Sequence, residues 1–413
     1  MKVLHINHSA SGGGAARAVY RLHKSLNKMN IQSEMIVKKS NLNEKKILNE
    51  STLLNRFIDK LKSKIARLLA KMQITKNPIN HSPSIFSSKE LLKKINSSDA
   101  DIVHLHWVQH EMLSIADIGR IEKLIVWTLH DMWAFCGAEH LSWDSRWKYG
   151  YSKKNRPKHE FGFDINRWTW RKKKKKWKNP IQIIAPSNWI GDFVTKSSLM
   201  KRWPMEVIHN PINTNFWKSS SKFLARKNLG LSKYSPLLLF GAIYGNKDHH
   251  KGFDLLINAL KKLKNSPITK EMEIIIFGEY NYNISKTISF PVHNMGYIKN
   301  DKILRDVYNA ADGIVIPSRQ DNLPNNGLEA SACGLPIIAF KTGGLVDIVE
   351  HCKTGYLAKP FNCEDLAKGI KWVLKKKNKK FINKKARARA VDKFSQHVVV
   401  KQYQSVYKKV LEK

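Results

Sequence analysis

The sequence predicts an α/β protein built from two doubly wound domains. Short apolar runs alternate with amphipathic helical stretches, the alternation occurs twice, and a segment rich in Asn, Pro and Ser separates the two occurrences. The apolar runs are continuous rather than alternating, which argues for parallel sheets covered on both faces. A length of 413 residues fits two domains, and a hydrophobic fraction of 42% is enough for both cores.

In the first half, residues 2–6, 102–106, 124–129 and 181–185 read as strands and 15–27 as a helix. In the second half, 237–240, 273–277, 313–316 and 337–340 read as strands, with a helix over 253–263. The join falls within 204–231, around HNPINTNFWKSSSK, which gives expected domains 1–207 and 208–388 and a tail 389–413.

Lysine and arginine number 73 against 33 aspartates and glutamates, a formal charge of +40. Such a charge favours anionic partners: nucleotides, nucleic acid or an anionic membrane face. No recognition helix or RNP-type aromatic strand accompanies it, so specific nucleic-acid binding is not expected. Three segments concentrate the charge. Residues 55–74 set Phe57, Ile58, Leu61, Ile65, Leu68, Leu69 and Met72 at helical spacing among Arg56, Lys60, Lys64, Arg67 and Lys71. Residues 171–178 read RKKKKKWK behind Trp168 and Trp170, and 375–385 are lysine-rich. Each reads either as a solvated face or as a site that docks on an anionic membrane surface.

Cys136, Cys333, Cys352 and Cys363 form no CxxC pair and are expected as reduced thiols in a cytosolic protein. MKVLHINHSASGGG lacks a signal-peptide core, and no apolar run approaches the ~18 residues of a membrane span. The expected location is the cytoplasm, peripheral on the inner face of the cell membrane.

Ligands of open parallel sheets bind beyond the C-terminal strand ends. Ser11-Gly12-Gly13-Gly14 lies there after the first strand, and Lys341-Thr342-Gly343-Gly344 after the strand 337–340. Each loop opens a helix, where bare backbone and the helix dipole suit an anion; each also reads as a tight turn with close helix–sheet packing. The first loop is not GxGxxG, so by itself it does not argue for a dinucleotide site. Two such loops on two sheets suggest a ligand cleft between the domains.

The stretch SRQDNLPNNGLEASACG places Asp321 in the loop after strand 313–316 and Glu329 about one turn inside a helix from Asn325 to Cys333, stopped by Gly334 and Pro336. Carboxylates accept sugar hydroxyls, and the outward amides of Asn325, Asn326, Gly327 and Leu328 receive phosphate. The stretch therefore suits a ligand that is both sugar and pyrophosphate. The plainer alternative is an acidic helix start stabilising its own dipole.

PSRQDNLPNNGLEASACGLPIIAF followed by TGG resembles the signature of glycosyltransferase family 4, retaining enzymes of the GT-B fold. GGGAARAVYRLHKSL resembles the family's first loop and helix, which puts Gly13 and Gly14 on the donor side. DIVHLHW and VWTLHDMWAFCGAEH resemble the acceptor-domain strands of its polysaccharide-building members. FSQHVVVKQYQSVYKKVLEK resembles a C-terminal helix that crosses back to the first domain. The resemblance implies that Glu329 holds the nucleotide ribose and that Asp321, where most members carry Glu, lies near the donor sugar. It implies a GDP- or UDP-linked sugar as co-substrate and a glycan or lipid-linked glycan as acceptor. The pathway implied is bacterial surface-polysaccharide assembly, lipopolysaccharide or capsule.

No metal is expected. The Asp-x-Asp match, Asp99-Ala100-Asp101, precedes its strand and so lies at the wrong sheet edge. A metal-free site needs fixed positive groups. Lys251 matches the family's phosphate-binding lysine, whereas Ala242 stands where members often have arginine, leaving Lys247, His250 or the backbone amides to compensate. His130 matches a histidine that contacts the donor sugar, with Asp131 expected to fix its ring tautomer. His104 and His106 share a strand face, as packing or acceptor contacts, and Asp131, Glu139 and His140 are expected on the acceptor side. No enzymic nucleophile emerges, and retention is expected by front-face attack. The two departures, Asp321 and Ala242, leave a non-catalytic sugar-nucleotide binder as the alternative.

Overall fold

A computed structural model describes residues 1–413 except 41, 43, 50–52, 243–247, 280–286, 376–378 and 413. The chain divides into two compact units, Met1–Ile208 with Val400–Lys413, and His209–Val399.

The first unit contains β1 (Lys2–Ser9), β2 (Gln32–Lys39), β3 (Ile47–Asn49), β4 (Gln73–Ile74), β5 (Ile102–Leu105), β6 (Leu124–Thr128), β7 (Phe161–Gly162), β8 (Gln182–Ala185) and β9 (Met205–Val207). Its helices are α1 (Gly14–Lys28), α2 (Leu53–Lys71), α3 (Lys89–Asn96), α4 (Ile115–Ile118), α5 (Arg146–Tyr149), α6 (Ile165–Lys176) and α7 (Asn188–Lys196). Among the described residues, seven strands form one sheet ordered β3-β2-β1-β5-β6-β8-β9, with parallel pairings throughout. β4 and β7 pair separately, antiparallel. Every residue of β5 and β8 is buried, as continuous apolar runs demand. Val103, Leu105 and Ile183 pack on one face with Leu91 and Ile95 of α3 and Ile190 and Val194 of α7.

The second unit contains β10 (Leu237–Gly241), β11 (Glu273–Phe277), β12 (Val292–Asn294), β13 (Gly313–Ile316), β14 (Ile337–Phe340) and β15 (Gly355–Ala358). Its helices are α8 (Lys222–Asn228), α9 (Phe253–Lys261), α10 (Asp301–Ala310), α11 (Asn325–Ala332), α12 (Leu345–Ile348), α13 (Cys363–Leu374) and α14 (Lys379–Phe394), and α15 (Gln396–Leu411) follows. The sheet order is β12-β11-β10-β13-β14-β15, again parallel. One core joins this sheet to α10 and α11, and another joins it to α9 and α13, so both faces are covered. The two doubly wound units predicted by the sequence are present.

The tail begins later than residue 389. Ala390 and Phe394 of α14 belong to a core of the second unit, and the Arg387 guanidinium donates to the carbonyls of Thr214, Trp217 and Ala332. These contacts hold α14 in the second unit, and the chain rejoins the first at Val400. There the hydroxyls of Tyr403 and Tyr407 meet Thr128 and His104. The strands β2, β12 and β15 were not anticipated, because QSEMIVKK, VHN and GYLA offer no continuous apolar run. The cysteines are free thiols. No described helix is long and apolar enough to cross a membrane.

Candidate functional site

In the second sheet the chain runs outward from β10 through β11 to β12, then returns to β13 on the other side of β10. The loops leaving β10 and β13 therefore lead to helices on opposite faces of the sheet, α9 on one and α11 on the other, the arrangement at which doubly wound folds place their ligands. Lys251 comes from the first loop and Asp321 from the second. Lys251 Nζ lies 2.6 Å from Asp321 Oδ2. Burial pulls the Lys251 ammonium down, but the Asp321 carboxylate outweighs it and holds the group above its ordinary range.

Glycine makes this approach possible. Gly252 has φ +66°, and a Cβ there would sit 2.0 Å from the Pro317 carbonyl oxygen. Arg319 laces the two loops together: its amide donates to the His250 carbonyl (2.7 Å) and its guanidinium to both oxygens of Asp254 (2.8 and 2.6 Å). Gly343 has φ +59°, and its Cβ would lie 2.3 Å from the Asp321 carbonyl oxygen, which accepts the Gly344 amide at 2.9 Å. The Gly343-Gly344 loop thus grips the backbone of Asp321.

α11 starts at Pro324 without a side-chain cap. The amides of Gly327 and Leu328 donate to the Pro324 carbonyl at 3.0 and 3.3 Å, so these two of the four expected phosphate donors are engaged inside the first turn. The Asn326 side chain donates to the Gly241 carbonyl (3.1 Å), fastening the start of α11 to the end of β10. Glu329 is 1% exposed, and its Oε2 accepts the Tyr308 hydroxyl at 2.8 Å. Tyr308 was not singled out from the sequence; its only signal was an aromatic on the inner face of a helix. Ala242 is buried and donates its amide to the Phe277 carbonyl (3.2 Å). His250 is buried beside Lys251, and Lys247 lies outside the described residues.

In the first sheet the strand order turns between β1 and β5. After β1, Gly12 and Gly13 have φ +75° and +106°, and a Cβ on either would meet nothing within 4 Å. Backbone conformation, not crowding, requires glycine there. Gly13 caps α1, and Gly14 is its first residue.

Parallel pairing sets His5 of β1 beside His104 of β5, with His106 next along the same face. His106 Nε2 lies 2.9 Å from His5 Nδ1, and His106 Nδ1 lies 3.2 Å from His130 Nε2. His130 therefore has His106 as its partner, not Asp131 as expected. The Asp131 carboxylate bonds elsewhere: it accepts from the Trp107 indole (2.8 Å), the His140 ring (2.6 Å) and the Trp133 amide (3.0 Å). Burial pushes Asp131 up, but His140 and these donors bring it below the usual carboxylate range.

The acceptor-side expectations need correction. His106 is 2% exposed and occupied on both ring nitrogens. Glu139 is 1% exposed and accepts the Tyr151 hydroxyl, with its pKa raised by burial. His140 is buried between Asp131 and Ser82 (2.8 Å). All three pack inside the unit. Toward the surface lies a cluster the sequence reading missed: Trp107 meets His8 and His110 edge-on, at centroid distances of 5.4 and 4.7 Å. His110 and Glu111 both have positive φ, +55° and +59°, the kind of backbone strain that clusters at functional sites.

Lys173 departs from both readings of RKKKKKWK, a solvated face or a membrane-docking segment. Its ammonium is fully buried, lies 3.8 Å from the centroid of the Trp133 ring and donates to the carbonyls of Trp133, Cys136 (3.1 Å) and Gly137 (2.6 Å). It pins the loop that carries Asp131 and His140.

Asp99 pairs with Lys2 (2.7 Å) and Asp101 accepts the Lys2 amide (2.7 Å), at the N-terminal strand edge. Among the described residues, His5, His104 and His106 bring ring nitrogens within 4.8 Å of one another. Both nitrogens of His104 are engaged by Tyr407 (2.7 Å) and Thr128 (2.8 Å), so hydrogen bonds rather than an open coordination position organise this group.

Residues 12–216 match the family described as Glycosyltransferase Family 4, and residues 224–390 match Glycosyl transferases group 1. An uncharacterized glycosyltransferase of Methanocaldococcus jannaschii is 26% identical over 56% of this chain and 60% of its own length. A lipopolysaccharide 1,2-N-acetylglucosaminetransferase of Salmonella typhimurium is 23% identical over 57% of this chain and 64% of its own. The matched regions thus span under two thirds of these relatives. The sucrose-phosphate synthase of Thermosynechococcus elongatus superposes with TM-score 0.69 at 16% identity over 100% of both chains. Anabaena HepE, in complex with UDP and glucose, gives TM-score 0.64 at 16% identity over 99% of this chain and 100% of its own. These likenesses establish the fold.

Proposed function

We propose that this chain, which belongs to the family 4-like glycosyltransferases of GT-B fold, moves a sugar from a nucleotide-sugar donor to a glycan or lipid-linked glycan acceptor in cell-surface polysaccharide assembly. The observation that carries this reading is the Lys251–Asp321 pair at the divergence of β10 and β13, with α11 and the Gly343-Gly344 loop around it. An ammonium has three N–H donors. One holds Asp321, and the others serve the departing diphosphate together with the positive start of α11.

Asp321 sets the lysine and lies near the donor sugar. Glu329, oriented by Tyr308, takes the ribose hydroxyls. His130 contacts the transferred sugar. The UDP complex of the HepE neighbour supports a uridine diphosphate donor, with GDP the alternative, and the Salmonella relative supports a surface-polysaccharide acceptor. Retention follows front-face attack, in which the departing phosphate takes the acceptor proton as the new glycosidic bond forms.

The test supplies UDP- and GDP-sugars with extracted lipid-linked glycans and measures nucleoside diphosphate release and product anomeric configuration by NMR. Release with retained configuration supports the reading. Tight nucleotide-sugar binding without turnover on any acceptor favours a non-catalytic binder instead.

A further inference from the structure

The helix α2 is turned inside out. In a globular protein the apolar stripe of an amphipathic helix faces the core. Here Phe57, Ile58, Leu61, Ile65 and Leu68 fall within about 100° of the helix circumference, and all five are exposed, Phe57 at 70% and Leu68 at 57%. The side turned to the body is small and polar. Ala66 is buried, Asp59 pairs with Lys38 (3.0 Å), and Lys62 donates to the Ser87 carbonyl (3.2 Å). Lys60, Lys64, Arg67 and Lys71 are exposed on the arc beside the apolar stripe.

The surface continues onto a second basic segment. β4 follows α2 and pairs with β7, Ile74 opposite Phe161, and the Phe163 amide donates to the Met72 carbonyl at 3.0 Å. Gly162, at φ +73°, allows this join, because a Cβ there would sit 2.2 Å from the Met72 oxygen. Ile74, Phe161, Phe163 and Trp168 are all exposed, and the rings of Phe163 and Trp168 lie 6.4 Å apart. Trp168 begins a stripe on α6 with Arg171, Lys172 and Lys175, in which Lys172 stands 4.6 Å over the Trp168 ring. Two segments far apart in sequence thus form one apolar strip bordered by basic side chains.

We propose that α2, the β4–β7 pair and α6 form a surface that docks on an anionic lipid bilayer, with α2 lying in the interface plane. The charges select this occupant. Apolar side chains enter the acyl boundary while lysine and arginine meet anionic headgroups. A second copy of this chain would set the same cations against themselves. The inference stands apart from the transferase reading, because docking needs no turnover.

Flotation of the full chain with phosphatidylcholine vesicles, with and without phosphatidylglycerol, tests it. The native chain floats with the anionic vesicles at low salt and roughly tenfold less with neutral ones. The double substitution Leu61→Asp with Leu68→Asp lowers flotation about tenfold while leaving the basic residues in place. Lys64→Glu with Lys71→Glu removes the preference for phosphatidylglycerol. Thermal melts of both variants match the native chain, since every altered side chain is exposed. Equal flotation on both vesicle types, or full flotation of the Leu61/Leu68 variant, overturns the proposal. So does a dimer in solution that the Leu61/Leu68 variant dissolves.

Discussion

His106 stands between His5 and His130, with ring nitrogens 2.9 Å from the first and 3.2 Å from the second. Because each neutral imidazole has one N–H and one bare nitrogen, this relay links the tautomers of all three rings. If His130 contacts the transferred sugar as proposed, His106 is its positioning residue. Replacing His106 with Phe keeps the packing and removes the link. The expected result is a kcat lowered by ten- to a hundredfold, on the order expected for a misplaced group, with nucleotide affinity unchanged. Equal falls in kcat and in nucleotide affinity contradict the positioning role.

The buried histidines make stability depend on pH. Burial lowers His23, His81 and His130 from 6.5 to about 4. Between those values the unfolded chain binds protons that the folded chain refuses, so stability rises with pH across that window. The contribution is complete above about 6.5 and is lost as pH falls toward about 4. Thermal unfolding followed from neutral to mildly acid pH should show a steady fall in Tm. A flat profile contradicts buried neutral imidazoles.

Gly343 carries the backbone of Asp321. Gly343→Ala puts a methyl 2.3 Å from the Asp321 carbonyl oxygen at φ +59°. A loss of about 1–3 kcal/mol is expected from strain of this kind, together with weaker nucleotide binding. Gly344 has φ −76°, and alanine there is tolerated by the backbone. Denaturant titration of the two variants checks the difference. Equal stability refutes the grip on Asp321.

Lys173 is unlike its neighbours in the lysine run. Lys173→Met leaves the carbonyls of Trp133, Cys136 and Gly137 without their donor and is expected to cost about 2–4 kcal/mol. The exposed Lys174 and Lys175, changed the same way, stay within about 0.5 kcal/mol of the native chain. Denaturant melts of the three variants decide this. Indistinguishable curves place Lys173 outside the core.

The strands β11, β13 and β14 lie at the residues where uninterrupted apolar runs put them. A buried parallel strand announces itself locally, and the Asp321–Glu329 stretch was legible for the same reason: its turn, helix start and stop are adjacent in sequence. What depends on register or on the far side of an element was not legible. The His5–His106–His130 relay needs the alignment of β1 with β5 and of β5 with β6. Lysines in a run look alike until α6 is docked, and then Lys173 points in while Lys172 and Lys174 do not. The helical stripe of α2 could be seen in the sequence. That it faces outward could not, because amphipathicity fixes a face but not what covers it.

In the proposed transfer, the donor diphosphate meets Lys251. Calorimetric titration of UDP and GDP into the native chain and into Lys251→Met, without divalent metal, tests this most directly. One nucleotide should bind the native chain and bind the variant about tenfold to a hundredfold more weakly, as loss of one charged contact to phosphate predicts. Equal affinity in the two proteins, or no binding of either nucleotide to the native chain, would contradict the assignment.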